Sequence, residues 1–272
     1  MRYSFVADHF QYLANLGVIT LIAACVANIS ESWSISGRLS MALSLGLLAL
    51  LTTLTWSHAR VYTNLKRFSR SILTQDPESW AGHDFLGLVL MSRGKTTEAV
   101  EHFSIAVHHN PRYALGHYNL GVALAAQRKF PEATHEYQQA IELQPSLLRA
   151  HYNLGNVFAA QGNFHGAVEQ YQEALRIRPD SIDAPDIQNN WGIALASTGN
   201  LDESVVHFQE AVRLRPDFAD AQANLGRALA AQNRISEAIE QYEQALESAT
   251  HNGQSNLIAQ IQGQLKALEA NR

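Results

Sequence analysis

The sequence predicts an all-α fold in which most of the chain is an α-solenoid, a stack of similar helix pairs. The first observation is a period of 34 residues, clearest between His117–Gly121 and His151–Gly155, which both have the sequence His-Tyr-Asn-Leu-Gly. The second is a set of residue columns that recur in five units, and the third is a proline that closes each unit. This period and content are typical of helix–turn–helix repeats. No unit can bury its apolar face alone, so the five units must stack.

Four columns give the predicted units a common packing pattern. Glycines stand at Gly87, Gly121, Gly155, Gly192 and Gly226, and small residues follow at Ala99, Ala133, Ala167, Ser204 and Ala238. Aromatic residues come next at Phe103, Tyr137, Tyr171, Phe208 and Tyr242, and the prolines are Pro77, Pro111, Pro145, Pro179 and Pro216. We expect each glycine to let the two helices of a unit approach, with the small residue opposite it and the aromatic ring filling the gap toward the next unit. Each proline should end a second helix because it has no N–H to donate.

This fivefold pattern resembles the tetratricopeptide repeat (TPR) family, and the resemblance implies a solenoid of five TPR units over 80–252. The predicted units are 80–113, 114–147, 148–181, 185–218 and 219–252. Three extra residues between Pro179 and Gly192 should lengthen one turn between units or bulge at the surface. A connecting helix is expected within 61–79. An amphipathic helix from Ser255 to Ala270 is expected to cap the array within 253–272.

Two apolar segments precede the repeats and predict a two-helix transmembrane hairpin within 1–60. Segment 13–29 has no charged residue over 17 positions, and segment 39–56 has none over 18. About 17 residues is the lower limit for a helix that crosses the hydrocarbon layer. Tyr12, Trp33 and Trp56 lie at the segment ends, where aromatic rings favour the membrane interface. These features predict a multi-pass membrane protein that has both termini on one side and the lipid bilayer as a partner.

Other interpretations of these segments stay open. The first segment could be a signal peptide, although its leader has an acidic residue, Asp8, as well as the single basic residue Arg2. Ile22–Cys25 looks like a lipoprotein cleavage box. The two segments could also form a helical pair that packs on the repeats. The side of the membrane is likewise open, since the basic residues that follow Trp56 favour a cytoplasmic position for the repeats.

The N-terminal part also resembles the last membrane helices and first repeats of the transmembrane-and-TPR O-mannosyltransferase family. The residues that carry the resemblance are 7–13 (ADHFQYL), the second apolar segment, Arg60–Val61–Tyr62 and 76–80 (DPESW). The resemblance implies repeats that face the lumen or periplasm. The chain lacks the many earlier membrane helices and the acidic loop that hold the catalytic residues of such an enzyme. It would then be a non-catalytic C-terminal or accessory part of one.

The composition and motifs argue against several other functions. A formal net charge of −5 argues against nucleic acid as a partner, and the single cysteine, Cys25, excludes a disulfide within the chain. His83, His117 and His151 are one repeat apart and cannot converge on one metal ion, so we expect them to pack structurally. No phosphate-binding loop, nucleophile elbow or pair of cysteine ligands occurs. We therefore expect no active site, no cofactor and no metal in this chain.

An asparagine recurs two positions before the glycine in four units, where we expect it to face the concave side. The row is Asn119, Asn153, Asn190 and Asn224. An amide has donors and an acceptor, so such a row can hold the backbone of an extended peptide. It resembles the asparagine ladder in the repeat arm of O-GlcNAc transferase. The neighbours expected to add selectivity are Tyr118, Tyr152, Asn156, Asn189 and Arg227. The alternative is that these asparagines only serve their own helices.

These expectations combine into a non-catalytic, membrane-anchored scaffold or adaptor that binds a segment of a partner protein in its groove. The alternative from the enzyme class is an accessory part of a membrane O-glycosyltransferase, which would present acceptor proteins to a catalytic subunit. A third hypothesis is a structural subunit of a larger membrane assembly, which predicts constitutive co-purification with the other subunits.

Overall fold

The computed structural model of the protein describes Gly46 and residues 65–270. The chain divides into two compact units, 1–71 and 72–272. The described residues form twelve helices and no strand, which confirms the all-α prediction. The helices are α1 Leu65–Gln75, α2 Trp80–Met91, α3 Thr96–His109, α4 Ala114–Ala126, α5 Phe130–Leu143, α6 Leu148–Ala160, α7 Phe164–Ile177, α8 Ala184–Ser197, α9 Leu201–Leu214, α10 Ala219–Ala231, α11 Ile235–His251 and α12 Ser255–Ala270.

Ten of these helices form five consecutive pairs, α2–α3 to α10–α11, which we number as repeats 1 to 5. Each first helix packs on its own second helix, and each second helix packs on the first helix of the next repeat. Consecutive first helices also contact one another, and no two consecutive second helices make a comparable contact. The first helices therefore lie closer together than the second helices, and they form the inner side of the stack.

The glycine column packs against the aromatic column within each repeat. A Cβ atom on Gly155 would lie 2.6 Å from Cε1 of Tyr171, and one on Gly121 would lie 2.7 Å from Cε1 of Tyr137. The ring thus lies directly on the glycine of its own repeat, a contact that the spacing of the columns did not predict. The small residue is close as well, since the carbonyl oxygen of Ala167 is 3.2 Å from the same Cβ position on Gly155.

The three extra residues before Gly192 lengthen one turn between repeats. α7 ends at Ile177 and α8 begins at Ala184, so six residues separate them, whereas four separate α5 from α6. α8 also has 14 residues where α6 has 13. The prediction of a longer turn is confirmed, and Ile182 in this turn is 84% exposed.

The C-terminal helix covers the last repeat. α12 packs against α11, and its buried Ile261 joins a cluster with Tyr242 and Ala245. Leu257, Ile258 and Leu265 are partly buried beside it, so the predicted apolar stripe faces the repeat. At the other end of the array, Leu73 of α1 packs on α2. A Cβ atom on Gly82 of α2 would lie 2.8 Å from Cδ2 of Leu73.

The predicted multi-pass membrane localisation is not supported and is corrected here. In the part of the chain that the structure describes, no helix combines the length and the apolar character that a membrane span requires. The predicted hairpin segments, 13–29 and 39–56, lie outside the described residues.

Candidate functional site: the inner face

Two positions of each repeat, two residues before and one residue after the glycine, lie on the accessible surface of the first helices. We call these positions the inner face: Phe85, Leu88, Asn119, Val122, Asn153, Asn156, Asn190, Ile193, Asn224 and Arg227. None of them is buried, whereas Leu120 and Leu124 of the same first helix are buried. The structure thus brings the predicted row of asparagines, with Asn156 and Arg227, onto one accessible surface.

Hydrogen bonds connect the asparagine row to the repeat before it. In each bond, the amide nitrogen Nδ2 donates to the residue that stands three positions before the glycine of the preceding repeat. The bonds run from Asn119 to Oδ1 of Asp84 (2.9 Å), from Asn153 to the hydroxyl of Tyr118 (3.2 Å), from Asn190 to the hydroxyl of Tyr152 (3.2 Å) and from Asn224 to Oδ1 of Asn189 (2.9 Å). The row therefore stabilises the stacking of all five repeats.

Three amides of the row keep hydrogen-bonding capacity for a ligand. The carbonyl oxygens of Asn119, Asn153 and Asn224 accept no hydrogen bond from any described residue. The Nδ2 of Asn119 and the Nδ2 of Asn224 also have a second hydrogen, because an amide nitrogen carries two, whereas the amide of Asn153 also forms a hydrogen bond with Tyr137. The bond to the preceding repeat holds each amide in one orientation. Three of the residues that we expected to add selectivity differ in exposure. Tyr118 and Tyr152 are half-buried, but Asn189 is only 6% exposed and lies beneath the row.

Between repeats 3 and 4 the inner face carries a dense hydrogen-bond network. Asn190 donates to Tyr152 and also to Oδ1 of Asn156 at 3.0 Å, and its own carbonyl accepts from Nδ2 of Asn189 at 3.3 Å. The hydroxyl of Tyr171 donates to the same oxygen of Asn156 at 2.8 Å. Burial raises the pKa of Tyr171, which keeps this hydroxyl protonated as a donor. We call Tyr152, Asn156, Tyr171 and Asn190 the polar junction.

Between repeats 4 and 5 the equivalent positions are apolar. Ile193 stands where repeat 3 has Asn156, and Phe208 stands where it has Tyr171. Without these polar groups a pocket of about 270 Å³ opens between α8 and α10, and Ile193, Phe208 and Ala228 contribute its apolar lining.

Two polar residues of α10 complete this pocket. Asn224 and Arg227 both line it, one helical turn apart on the inner face. We call Ile193, Phe208, Asn224 and Arg227 the apolar junction.

Arg227 differs from the other arginines near the inner face. Arg149 forms an ion pair with Asp183 (3.1 Å) and Arg215 forms one with Asp186 (2.5 Å). Among the described residues, no carboxylate forms an ion pair with Arg227. The positive charge on the inner face of repeat 5 is therefore not neutralised by a contact within the described part of the chain.

The hydroxyl of Tyr242 lies near this arginine and lacks a partner. Burial raises the pKa of Tyr242, and the charge of Arg227 opposes that rise. The hydroxyl is buried, and no described residue forms a hydrogen bond with it. In repeat 3 the equivalent hydroxyl donates to Asn156, but the residue at that position of repeat 5 is Arg227, which has no acceptor.

A second polar column, whose partners the sequence analysis did not find, lies beneath the inner face. His83, His117 and His151 each contact the carbonyl oxygen of the proline six residues earlier through Nε2, at 3.0 to 3.1 Å. Nδ1 of each ring contacts a residue of the second helix 19 positions later: His102 at 2.8 Å, Glu136 at 2.7 Å and Gln170 at 2.9 Å. Both ring nitrogens are thus used inside the repeat, in agreement with a structural role.

The family of the chain follows from its sequence profile. A tetratricopeptide repeat family model matches residues 123–182 and 189–253, and a TPR repeat model matches residues 87–128. Together they cover more than half of the 272 residues, and the chain belongs to the tetratricopeptide repeat family. This fold is typical of non-catalytic scaffold proteins. No curated protein sequence is significantly similar to the chain.

Several solved structures share the fold of this chain. The crystal structure of YrrB, described as a TPR protein with an unusual peptide-binding site, is 20% identical with a TM-score of 0.57, covering 66% of this chain and 91% of that chain. MamA (41-end) from Desulfovibrio magneticus RS-1 is 19% identical with a TM-score of 0.59, covering 63% and 96%. PilF from Pseudomonas aeruginosa is 18% identical with a TM-score of 0.57, covering 72% and 94%. None of these is an O-mannosyltransferase, and that resemblance is not shown.

Proposed function

We propose that this protein is a scaffold or adaptor that binds an extended segment of a partner protein on its inner face and performs no chemistry there. TPR proteins bind protein or peptide partners. The observation that carries the proposal for this chain is the row of three oriented amides, Asn119, Asn153 and Asn224, whose carbonyl oxygens accept no hydrogen bond from the part of the chain that the structure describes. A role as an accessory part of a glycosyltransferase is not favoured.

The proposed mechanism is recognition of the peptide backbone. Backbone N–H groups of the segment donate to the amide oxygens of Asn119, Asn153 and Asn224, and backbone carbonyls accept from the second Nδ2 hydrogens of Asn119 and Asn224. Because the bond to the preceding repeat already fixes each amide, binding loses little side-chain entropy. Backbone contacts alone do not read a sequence, so selectivity has to come from neighbouring side chains.

Asn190 is expected to contribute little to this binding. Its Nδ2 donates to two acceptors and its carbonyl accepts from Asn189, so both hydrogens of the amide are already used. It therefore offers a control that removes an amide from the same row without removing free hydrogen-bonding groups.

The test uses the full chain and a displayed library of random twelve-residue peptides. Peptides that bind the wild type are synthesised, and their affinities are measured for Asn119→Ala/Asn153→Ala/Asn224→Ala and for Asn190→Ala. Loss of about three hydrogen bonds of about 1 kcal/mol each predicts about a hundredfold weaker binding for the triple variant and a much smaller change for the control. A folded triple variant that binds every peptide with unchanged affinity, or a wild type that selects no peptide, contradicts the proposal.

A further inference from the structure

The apolar junction is the part of the inner face that has the means to select a sequence. We infer that it binds an acidic side chain of the partner segment together with an adjacent large apolar side chain, and that this pair determines which segments the protein accepts. The inference rests on the proposed function, because it assigns specificity to the same surface.

The apolar half of the inference follows from the comparison with the polar junction. There, Asn156, Tyr171 and Asn190 satisfy one another across the gap between two repeats. In the apolar junction Ile193 and Phe208 leave the pocket open, and Ile193 is 40% exposed. A concave apolar site with a few polar groups at one side is the usual form of a binding pocket. A single apolar side chain that enters it would cover Ile193.

The acidic half follows from charge complementarity. Arg227 lines the pocket and has no ion-pair partner among the described residues, whereas Arg149 and Arg215 are paired. A carboxylate at this position would form the missing ion pair, with the two-pronged geometry that a guanidinium favours. The unpaired charge of Arg227 in this pocket thus points to an acidic ligand.

The position of Asn224 favours an acidic side chain over the carboxylate at a chain end. Asn224 belongs to the amide row and lies one helical turn before Arg227 on the same helix. If the row holds the backbone of the segment at Asn224, a side chain of the segment has to bridge the remaining distance to Arg227. The occupant is therefore an internal stretch of a partner protein in which Asp or Glu stands next to a residue such as Leu, Ile, Met or Phe.

The experiment compares the peptides that different full-length variants select from the same displayed library. The wild type should enrich an acidic residue next to a large apolar one. Arg227→Gln should lose the acidic preference, and Arg227→Glu should replace it with Lys or Arg. Ile193→Asn/Phe208→Tyr, which copies the polar junction into this site, should lose the apolar preference and keep the acidic one. Arg176→Gln is the control: it removes one positive charge from α7, outside the inner face, and should leave the selected peptides unchanged.

Affinities of one selected peptide, acetylated and amidated at its ends, complete the test. Replacing its acidic residue with the matching amide should weaken binding at least tenfold to the wild type and less than twofold to Arg227→Gln. Equal affinity of both peptides for the wild type overturns the inference, and so does a requirement for a free C-terminal carboxylate.

The two proposals fail in different ways. If the wild type selects peptides that depend on the amide row but show neither preference, the inference is overturned while the proposed function stands. If the wild type selects no peptide, both are overturned.

Discussion

The polar junction, between repeats 3 and 4, and the apolar junction, between repeats 4 and 5, are equivalent sites that differ in only a few side chains. In both, a first helix packs on the aromatic residue of its own repeat, Tyr171 or Phe208, through a glycine. In both, an asparagine of the next repeat donates to the repeat before it. Asn156 and Tyr171 close the first gap with hydrogen bonds, while Ile193 and Phe208 leave the second gap as a pocket.

The comparison shows that the packing of the helices and the filling of the gap between repeats depend on different positions of one repeat. The glycine and the aromatic ring determine how closely the helices approach, and both junctions keep them. The residue after the glycine and the hydroxyl of the ring differ between these two junctions, and the gap is filled in one and open in the other. Under the proposed function, substitutions at these two positions would change what the array binds without changing how the repeats pack.

The largest expected effect comes from breaking the packing that both junctions share. Gly155→Ala places a Cβ atom 2.6 Å from the ring of Tyr171 and 3.2 Å from the carbonyl oxygen of Ala167, and backbone cannot move aside easily. We expect a loss of about 3 kcal/mol in the free energy of unfolding, typical of overpacking. Urea unfolding followed by circular dichroism measures it.

Gly263→Ala is the matched control for this change. Gly263 lies in α12, and a Cβ atom there meets nothing within 4 Å. The same substitution should therefore stabilise the protein by about 0.5 to 1 kcal/mol, because alanine favours a helix over glycine. Equal effects at the two sites would disprove the role assigned to the contact between glycine and ring.

The next largest effect separates the two asparagines of the junctions. Asn190→Ala removes a donor from both Tyr152 and Asn156, so we expect about 2 kcal/mol of destabilisation. Asn224→Ala removes one bond, to Asn189, and should cost about 1 kcal/mol. Peptide binding should show the opposite order: Asn224→Ala should weaken binding more than Asn190→Ala does. The same order in unfolding and in binding would contradict the division between a filled and an open junction.

The sequence was sufficient for the repeats and for the face they present. The 34-residue period shows the helix pairs, and the packing of Leu120 and Leu124 toward the second helix leaves Asn119 on the inner face. These features are local, because helical periodicity fixes which side of a helix each residue occupies. The contact between the aromatic ring and the glycine of its own repeat was not predicted, because spacing along the chain does not determine which helix a ring contacts.

The partners of the polar groups were not predictable in the same way. The asparagines contact residues in the preceding repeat, 35 positions earlier for Asn119, Asn153 and Asn224, so their bonds depend on the offset between repeats. That offset is set by packing and not by the period. The pocket was also missed, since it arises from an absence of polar groups at Ile193 and Phe208. Only a column-by-column comparison with repeat 3 would have indicated it.

We expect a smaller loss of stability at low pH, and we expect a residue of repeat 4, beside the apolar junction, to cause it. His207 of repeat 4 stacks on Trp191 with ring centroids 4.0 Å apart, and burial lowers its pKa below the ordinary value of 6.5 although Glu203 and Glu210 oppose this. The unfolded chain then binds a proton before the folded protein does. The free energy of unfolding should therefore fall as the pH decreases below about 6.5.

Repeat 3 supplies the control residue for this prediction. It has Gln170 at the position of His207, so His207→Gln introduces a side chain that the fold already accepts there and that does not titrate. Urea unfolding at pH 7.5 and pH 5.0 should show a smaller loss for His207→Gln than for the wild type. An identical loss in both proteins would exclude His207 as a source of the acid sensitivity.

The smallest effect on stability, and the sharpest test of the comparison, is expected from turning the polar junction into a second apolar one. Asn156→Ile/Tyr171→Phe removes both partners of the hydrogen bond between them. It also removes the bond from Asn190 to Asn156, but Asn190 stays bonded to Tyr152 and lies on the accessible inner face, where water can accept its freed hydrogen. Replacing both partners by apolar groups of similar shape is close to neutral, so the unfolding free energy should change by less than about 1 kcal/mol. The change should open a pocket between repeats 3 and 4. In the displayed library this variant should select a second large apolar residue, displaced along the peptide from the first by the distance between repeats. If the variant is folded and its peptide preferences equal those of the wild type, then Asn156 and Tyr171 do not control access to that gap, and the difference between the junctions has another cause.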